Sequence, residues 1–155
     1  MNREFKRFVN SLEPSFRRLM ASDAVTVPEL PRDMPGAGIY LFSEGERHLY
    51  VGRSNTIRKH LQKHCRPSSG HNSATFAFRL AREETGQLTA SYVQDGSRKY
   101  LEKDSEFGPV FVAQKERVRR MGVRYVEESD PMRQALLEMY VAVSLGAPYN
   151  VFDNH

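Results

Sequence analysis

Two short tyrosine–glycine triplets constrain the fold of this chain more than any other feature of its 155 residues. The triplets, GIY at 38–40 and YVG at 50–52, each lie in an apolar, β-prone run, and Gly45 lies in the polar segment between the runs. This pattern is typical of a β-hairpin. It predicts that Tyr40 and Tyr50 occupy neighbouring strands, with their phenol groups side by side.

A basic segment at 53–66, RSNTIRKHLQKHCR, directly follows the second triplet and predicts a helix at about 55–65. His60 and His64 are spaced i and i+4, so they share one face of that helix. Such a pair can bind zinc, but no third ligand stands at a familiar spacing. Phenols, imidazoles and cations at a strand-to-helix junction favour an anion such as phosphate, with the histidines as a general base or as phosphate contacts.

The distribution of charge indicates an anionic partner more clearly than the net charge of +4 does. The stretch 47–82 contains no Asp or Glu and eight basic residues: Arg47, Arg53, Arg58, Lys59, Lys63, Arg66, Arg79 and Arg82. A block of one sign beside the tyrosines attracts a polyanion, with Arg58 and Lys63 as candidates for binding it. The alternative is a solvated basic helix face, and charge alone leaves both open.

Composition indicates a soluble, globular chain with 39% hydrophobic and 27% charged residues. No apolar run approaches membrane-spanning length, and the first twenty residues lack the apolar centre of a signal peptide. Cys65 is the single cysteine, which excludes an internal disulfide and suits a reducing compartment. We therefore expect a cytoplasmic protein without a membrane partner.

Hydrophobic periodicity predicts an α+β fold, with a small three-stranded mixed or antiparallel sheet flanked by helices. The expected strands are at about 37–43, 47–52 and 122–128. The expected helices are at 1–20, 55–65, 73–85 and 104–121, with a last one from Pro131 to Gly146. Asp130 is a good N-cap for that last helix, and Gly146 followed by Pro148 ends it.

Three other segments carry weaker signals. Pro14 predicts a kink or a break in the N-terminal helix. Residues 24–36 are expected to form an extended connector, so that 1–36 precede a main domain at 37–155. Residues 88–93 are consistent with either a short strand or an irregular link.

Glu138 lies within ALLEMYVAVSL, a helix that is otherwise almost entirely apolar. A carboxylate there is costly unless it has a partner or a metal ion. It would suit Mg²⁺, which keeps several waters and takes phosphate oxygens as its other ligands. The alternatives are that Glu138 lies on the solvent face, or that it pairs with Arg133.

The two triplets and the residues that follow them resemble the GIY-YIG nuclease family. The resemblance comprises GIY at 38–40, YVG at 50–52, the basic helix ending in His64, the late Glu138 and the closing APYN at 147–150. It spans about 37–154, and the stretch at about 66–120 would be a helical insertion. Four basic residues of that insertion either contact a DNA backbone or form a solvated face: Lys115, Arg117, Arg119 and Arg120.

The resemblance implies a Mg²⁺-dependent endonuclease that hydrolyses DNA phosphodiesters, with Mn²⁺ as a possible substitute. In that family the tyrosine of the second triplet, here Tyr50, is a general base or positions the water. The other implied roles are support of the site by Tyr40, phosphate contact by Arg53, nucleophile activation through the tyrosine by His64, metal binding by Glu138 and orientation of the site by Asn150.

One position departs from the family. Members usually carry an arginine eight residues after the glycine of the second triplet, and this chain has His60 there. A protonated imidazole lacks the fixed bidentate fork of a guanidinium, and Arg58 lies about 200° away around the helix. Two hypotheses follow, namely a nuclease with reduced activity, and a module of the same fold that grips nucleic acid without cutting it. A structural or interaction protein is a third.

Overall fold

The structure is a computed structural model that describes residues 1–86 and 98–152. The predicted element at 88–93 lies outside these residues. The chain divides into two compact units, Met1–Arg58 with Met121–His155, and Lys59–Arg120. The insertion expected at 66–120 falls within the second of them.

The first unit is built on a three-stranded antiparallel sheet with the strand order β2-β1-β3. Its strands are β1 (Gly38–Glu44), β2 (Arg47–Ser54) and β3 (Gly122–Glu127). The hairpin turn contains Gly45, whose φ of 59° favours glycine. The α+β class and the three strands are thus confirmed, and the sheet is antiparallel rather than mixed.

Two helices of the same unit pack near the sheet, namely α1 (Arg3–Ala21) and α6 (Pro131–Leu145). A short 3₁₀ turn at Val27–Glu29 interrupts the connector that we expected to be extended. One face of the sheet joins the two helices in a core that contains Leu12, Leu19, Ile39, Leu41, Val51, Val126, Leu137 and Val141. This packing fixes α6, and therefore Glu138, beside the hairpin.

Local signals account for the ends of α6. The Asp130 side chain accepts hydrogen bonds from the backbone N–H groups of Met132 and Arg133, both at 2.9 Å. Pro131 occupies the first helical position, and Gly146 ends the helix in the left-handed conformation. The predicted cap, start and stop of this helix are confirmed.

The predicted break at Pro14 is wrong, because α1 runs without interruption through it. A proline inside a helix loses one backbone hydrogen bond and strains the preceding turn. Leu12 and Leu19 lie on either side of Pro14, and both are buried in the core of the first unit. Burial on both sides of the proline anchors both halves of the helix in that core.

The described residues of the second unit form four helices: α2 (Ile57–Cys65), whose first two residues belong to the first unit, α3 (Thr75–Thr85), α4 (Arg98–Lys103) and α5 (Phe107–Arg119). The sequence did not predict α4. Aromatic rings form part of the core, with Phe78 at 5.1 Å from Phe107 and 5.3 Å from Phe111 between centroids. In the described part of the chain, no helix combines the length and apolar character needed to cross a membrane.

Candidate functional site

The pairing of β1 with β2 brings the two triplets together. Tyr40 lies opposite Gly52, and Phe42 lies opposite Tyr50. Residues that face each other across an antiparallel pair point to the same side of the sheet, as do residues i and i+2 within a strand. Tyr40 and Tyr50 therefore share one face, which is the arrangement that the hairpin predicted.

Both triplet glycines are required by close contacts. A Cβ atom on Gly52 would come within 2.2–2.6 Å of the Tyr40 ring and hydroxyl, so the Tyr40 side chain occupies the space that a side chain at 52 would need. A Cβ atom on Gly38 would come within 2.0 Å of the Val126 carbonyl oxygen, and Gly38 has a φ of 155°. Each glycine thus lets a neighbouring group approach the hairpin closely.

The two tyrosines differ in burial and therefore in chemistry. Tyr40 is 2% exposed and packs edge-on against Phe42 at 5.8 Å. Burial raises its pKa well above the usual value, and the nearby charges of Tyr50 and Glu138 act in the same direction. Tyr40 is consequently a protonated phenol at neutral pH, whereas Tyr50 is only partly buried and remains accessible to water.

Glu138 lies close enough to Tyr40 for its charge to raise the pKa of that phenol, and it contacts Arg53. Arg53 Nε is 3.2 Å from Glu138 Oε2, and the Glu138 side chain is 21% exposed. Burial raises the pKa of Glu138, and the charge of Arg53 opposes that rise. The sequence left open a solvent-exposed Glu138 and a pair with Arg133. The structure instead shows a partly buried carboxylate paired with Arg53.

Asn150 fixes the second triplet from its outer side. Its Nδ2 donates to the Val51 carbonyl oxygen at 2.7 Å, and its Oδ1 accepts from the Val51 N–H at 2.8 Å. The N–H of Tyr149 donates to the Leu49 carbonyl oxygen at 3.2 Å. Because β2 is an edge strand, these bonds replace a missing neighbouring strand and hold the residue between Tyr50 and Gly52.

We expect Asn150→Ala to lower the free energy of unfolding by about 1–3 kcal/mol, since two backbone bonds at a buried residue are lost. Urea unfolding would measure the change. Asn10→Ala, an exposed substitution on α1, is the matched control, with an expected change of about 0.5 kcal/mol or less. Equal stability of both variants would contradict the role assigned to the Asn150 amide.

Four of the predicted site residues lie on α2. Arg58 donates from Nη2 to the carbonyl oxygens of Pro31 and Arg32, so its guanidinium holds the connector. His60, Lys63 and His64 belong to the second unit. His60 and Lys63 are exposed, and His64 is 3% exposed, so the two histidines of the expected pair lie in very different environments.

The pKa of His64 is lowered to about 3, first by burial and then by the positive charges of His60 and Arg79. The imidazole is therefore neutral at physiological pH. Its predicted role as an activating group stays a prediction.

Two polar residues of the insertion have structural partners. His71 has its Nδ1 2.8 Å from Glu102 Oε1. Lys115 is 4% exposed, and its Nζ donates to the carbonyl oxygens of Pro67 and Ser69 at 2.6 and 2.8 Å. The expectation that Lys115 either contacts a DNA backbone or lies on a solvated face is therefore wrong, because its ammonium is bound inside the second unit.

The groups around Glu138 are compatible with Mg²⁺. The candidate donors are a carboxylate and phenol oxygens, and hard cations of this kind prefer oxygen ligands. Oε2 of Glu138 faces Arg53, and no hydrogen bond to Oε1 is found among the described residues. These residues contain no group of three or more His, Cys, Asp or Glu side chains that could hold a metal ion. The Mg²⁺ site expected at Glu138 stays a prediction.

Sequence reasoning missed the contact between Arg53 and Glu138, and it missed the pairing of Tyr149 with β2. The contact of Glu138 had a weak signal in the sequence, since a lone acid in an apolar helix needs a cationic partner. Several arginines could have been that partner, so the sequence did not identify Arg53. No protein family, curated protein or solved structure matches the chain.

Proposed function

We propose that this protein is a metal-dependent DNA endonuclease of the GIY-YIG type. The observation that carries the proposal is the contact of the partly buried Glu138 carboxylate with Arg53 of β2, close enough to the buried Tyr40 that Glu138 and Tyr50 both raise the pKa of that phenol. A basic stretch with no acid from 47 to 82 supports DNA as the substrate. The resemblance in sequence and this geometry concern the same residues, and both are compatible with the same chemistry.

Tyr50 is the residue that would meet the attacking water. Its side chain is the more exposed of the two, and a phenol can position a water for attack on phosphorus, whereas accepting the proton of that water would require the phenolate form. Tyr40 remains protonated because of its burial, so it donates a hydrogen bond rather than acting as a base. Asn150 acts indirectly, since it holds the backbone that presents Tyr50.

Arg53 and Glu138 would part when DNA binds. Arg53 is about half exposed, so its guanidinium can turn towards a phosphate, where a bidentate contact is favourable. The Glu138 carboxylate is then left to hold the cation. Mg²⁺, when bound there, would supply positive charge next to the phosphate oxygens.

A binding module that does not cut is the second candidate, and the histidine at position 60 favours it. Loss of one preorganised contact to the developing charge commonly lowers a rate on the order of 10²–10³-fold. Under this hypothesis the chain binds DNA in a salt-dependent way but leaves it intact.

Nicking of supercoiled plasmid in Mg²⁺ or Mn²⁺, alongside cleavage of single-stranded DNA, tests the proposal. We expect Tyr50→Phe to lower the rate on the order of 10²-fold, as for loss of general acid–base assistance. Tyr140→Phe is the matched control, because the Tyr140 hydroxyl donates to Glu13 on α1 and has no part in the proposed chemistry. Equal rates for the two variants would exclude Tyr50 from the reaction.

His60→Arg separates the two candidates. A nuclease weakened at this position gains activity, on the order of 10²-fold. If neither the wild type nor His60→Arg nicks plasmid while both bind DNA, the binding module is the correct description. If neither binds DNA, both candidates fail.

A further inference from the structure

Part of the outer edge of β3 carries backbone groups that bond to no other backbone group among the described residues. Val123 forms a two-way bridge with Val25, in which its N–H donates at 2.7 Å and its carbonyl accepts at 3.0 Å. Residues i and i+2 of a strand orient their backbone groups alike. The N–H and C=O groups of Tyr125 and Glu127 therefore also point outwards, and no described backbone group bonds to them there.

A groove follows this open edge. Its volume is about 550 Å³, and it is lined by Arg18, Pro35, Tyr125, Val126, Glu127, Glu128 and Ser129. Tyr125 and Glu127 both line it, so the groove runs beside their four outward-pointing backbone groups. Such an edge is a template for an added strand unless a protein covers or charges it.

The charged residues that line the groove indicate what kind of molecule it binds. Glu127 is exposed and forms no ion pair with any described residue. Glu128 Oε2 accepts from the Asp130 N–H at 3.0 Å, and Arg18 Nη2 donates to Ser15 Oγ at 2.9 Å. With two carboxylates and one guanidinium, the lining carries one more negative than positive charge, which favours basic side chains over phosphate.

We propose that an extended, basic segment of a partner protein binds here as a fourth strand. It pairs with the backbone of Tyr125 and Glu127, and Lys or Arg side chains at its alternate positions approach Glu127. This is the strand-addition mode of peptide recognition, in which the backbone supplies affinity and the alternating side chains supply specificity. None of the residues that line the groove is assigned to DNA cleavage, although Tyr125 lies opposite Tyr40 across the β1–β3 pair, and the proposal does not depend on that function.

Capped pentapeptides test the proposal without altering the protein. The probe is Thr-Lys-Val-Lys-Thr, and its matched control is Thr-Glu-Val-Glu-Thr. We expect titration to shift the backbone amide resonances of Tyr125 and Glu127, with the lysine peptide binding at least about tenfold more tightly. Equal affinity of the two peptides, or shifts that leave these two amides unchanged, would overturn the proposal.

Backbone pairing is tested by methylation of the peptide and by one substitution. Methylating the peptide amides that face β3 should abolish binding, whereas methylating the alternate amides should leave it unchanged. Glu127→Pro removes an outward N–H without touching the bonds to β1, and we expect it to weaken binding about tenfold. Insensitivity to both changes would exclude strand addition. Concentration-dependent dimers that exclude the peptide in sedimentation would assign the edge to a second copy instead.

Discussion

Glu138→Gln is expected to lower the rate of plasmid nicking on the order of 10²–10³-fold. Glutamine keeps the size of the side chain and can still accept a hydrogen bond from Arg53, but it lacks the charge that holds a divalent cation. DNA binding should change little, because the basic residues that contact phosphate are retained. The expected signature is therefore a fall in kcat with a nearly constant Kd.

The substitution should not unfold the protein. Glu138 is partly buried, but Arg53 is about half exposed, so solvent screens the pair and its contribution is about 1 kcal/mol or less. Burial already raises the pKa of Glu138, and a neutral amide avoids the cost of burying the charge. Thermal unfolding in the absence of metal checks this directly.

Two further measurements make the prediction specific to this carboxylate. Glu46→Gln, an exposed acid in the hairpin turn, is the matched control and should leave nicking unchanged. Addition of Mg²⁺ should raise the Tm of the wild type and not that of Glu138→Gln. Nicking that persists unchanged in Glu138→Gln would show that the activity belongs to a contaminant or to another site.

The elements that the sequence predicted well are those whose signals are local. Gly45 between two β-prone runs defines the hairpin, and Asp130, Pro131 and Gly146 define α6, because each acts on the backbone within a few residues. These signals also placed the two triplets in neighbouring strands, which is the basis of the candidate site.

The elements that sequence reasoning missed depend on distant residues. Pro14 is tolerated because core leucines on both sides of it are buried in the first unit, and that packing leaves no mark near the proline. Lys115 has the composition of a surface residue, yet its ammonium binds carbonyls more than forty residues away. The six-residue α4 has too few turns for a periodic pattern to be detected.

In the candidate site too, local signals predicted some features and distant contacts determine the others. The proximity of Tyr40 and Tyr50 follows from strand pairing, which a turn signal reveals. The choice of Arg53 as the partner of Glu138, and the two bonds from Asn150 to Val51, depend on how α6 and the C-terminal segment pack against β2. Such contacts are set by the tertiary fold, so residue types alone indicated that Glu138 needed a partner but not which one.

Acidification should destabilise the protein through His64. Burial and the positive charges of His60 and Arg79 lower its folded-state pKa to about 3, whereas an unfolded histidine titrates near 6.5. As the pH falls below about 6.5, His64 becomes protonated in the unfolded chain but not in the folded one. Stability is therefore lost until the pH reaches about 3. The total loss is about 4–5 kcal/mol.

The interval from pH 7.5 to 5 isolates this effect, because most carboxylates remain ionised there. We expect the free energy of unfolding to fall by about 2 kcal/mol over that interval. Glu138 acts in the opposite direction, since an acid whose pKa is raised by folding gains stability as the pH falls. His48, whose pKa is lowered by burial, adds a smaller loss of the same sign as His64.

Urea unfolding of His64→Gln over the same pH range measures the contribution of this imidazole. Its curve should lose most of its slope between pH 7.5 and 5, because the variant has no proton to bind at this position and only the smaller loss from His48 remains. His60→Gln is the matched control on the same helix, and since its side chain is exposed it should keep most of the slope. A wild-type curve as flat as that of His64→Gln would contradict the prediction. It would mean that the folded protein accommodates a charged His64, whose imidazole would then titrate near neutral pH.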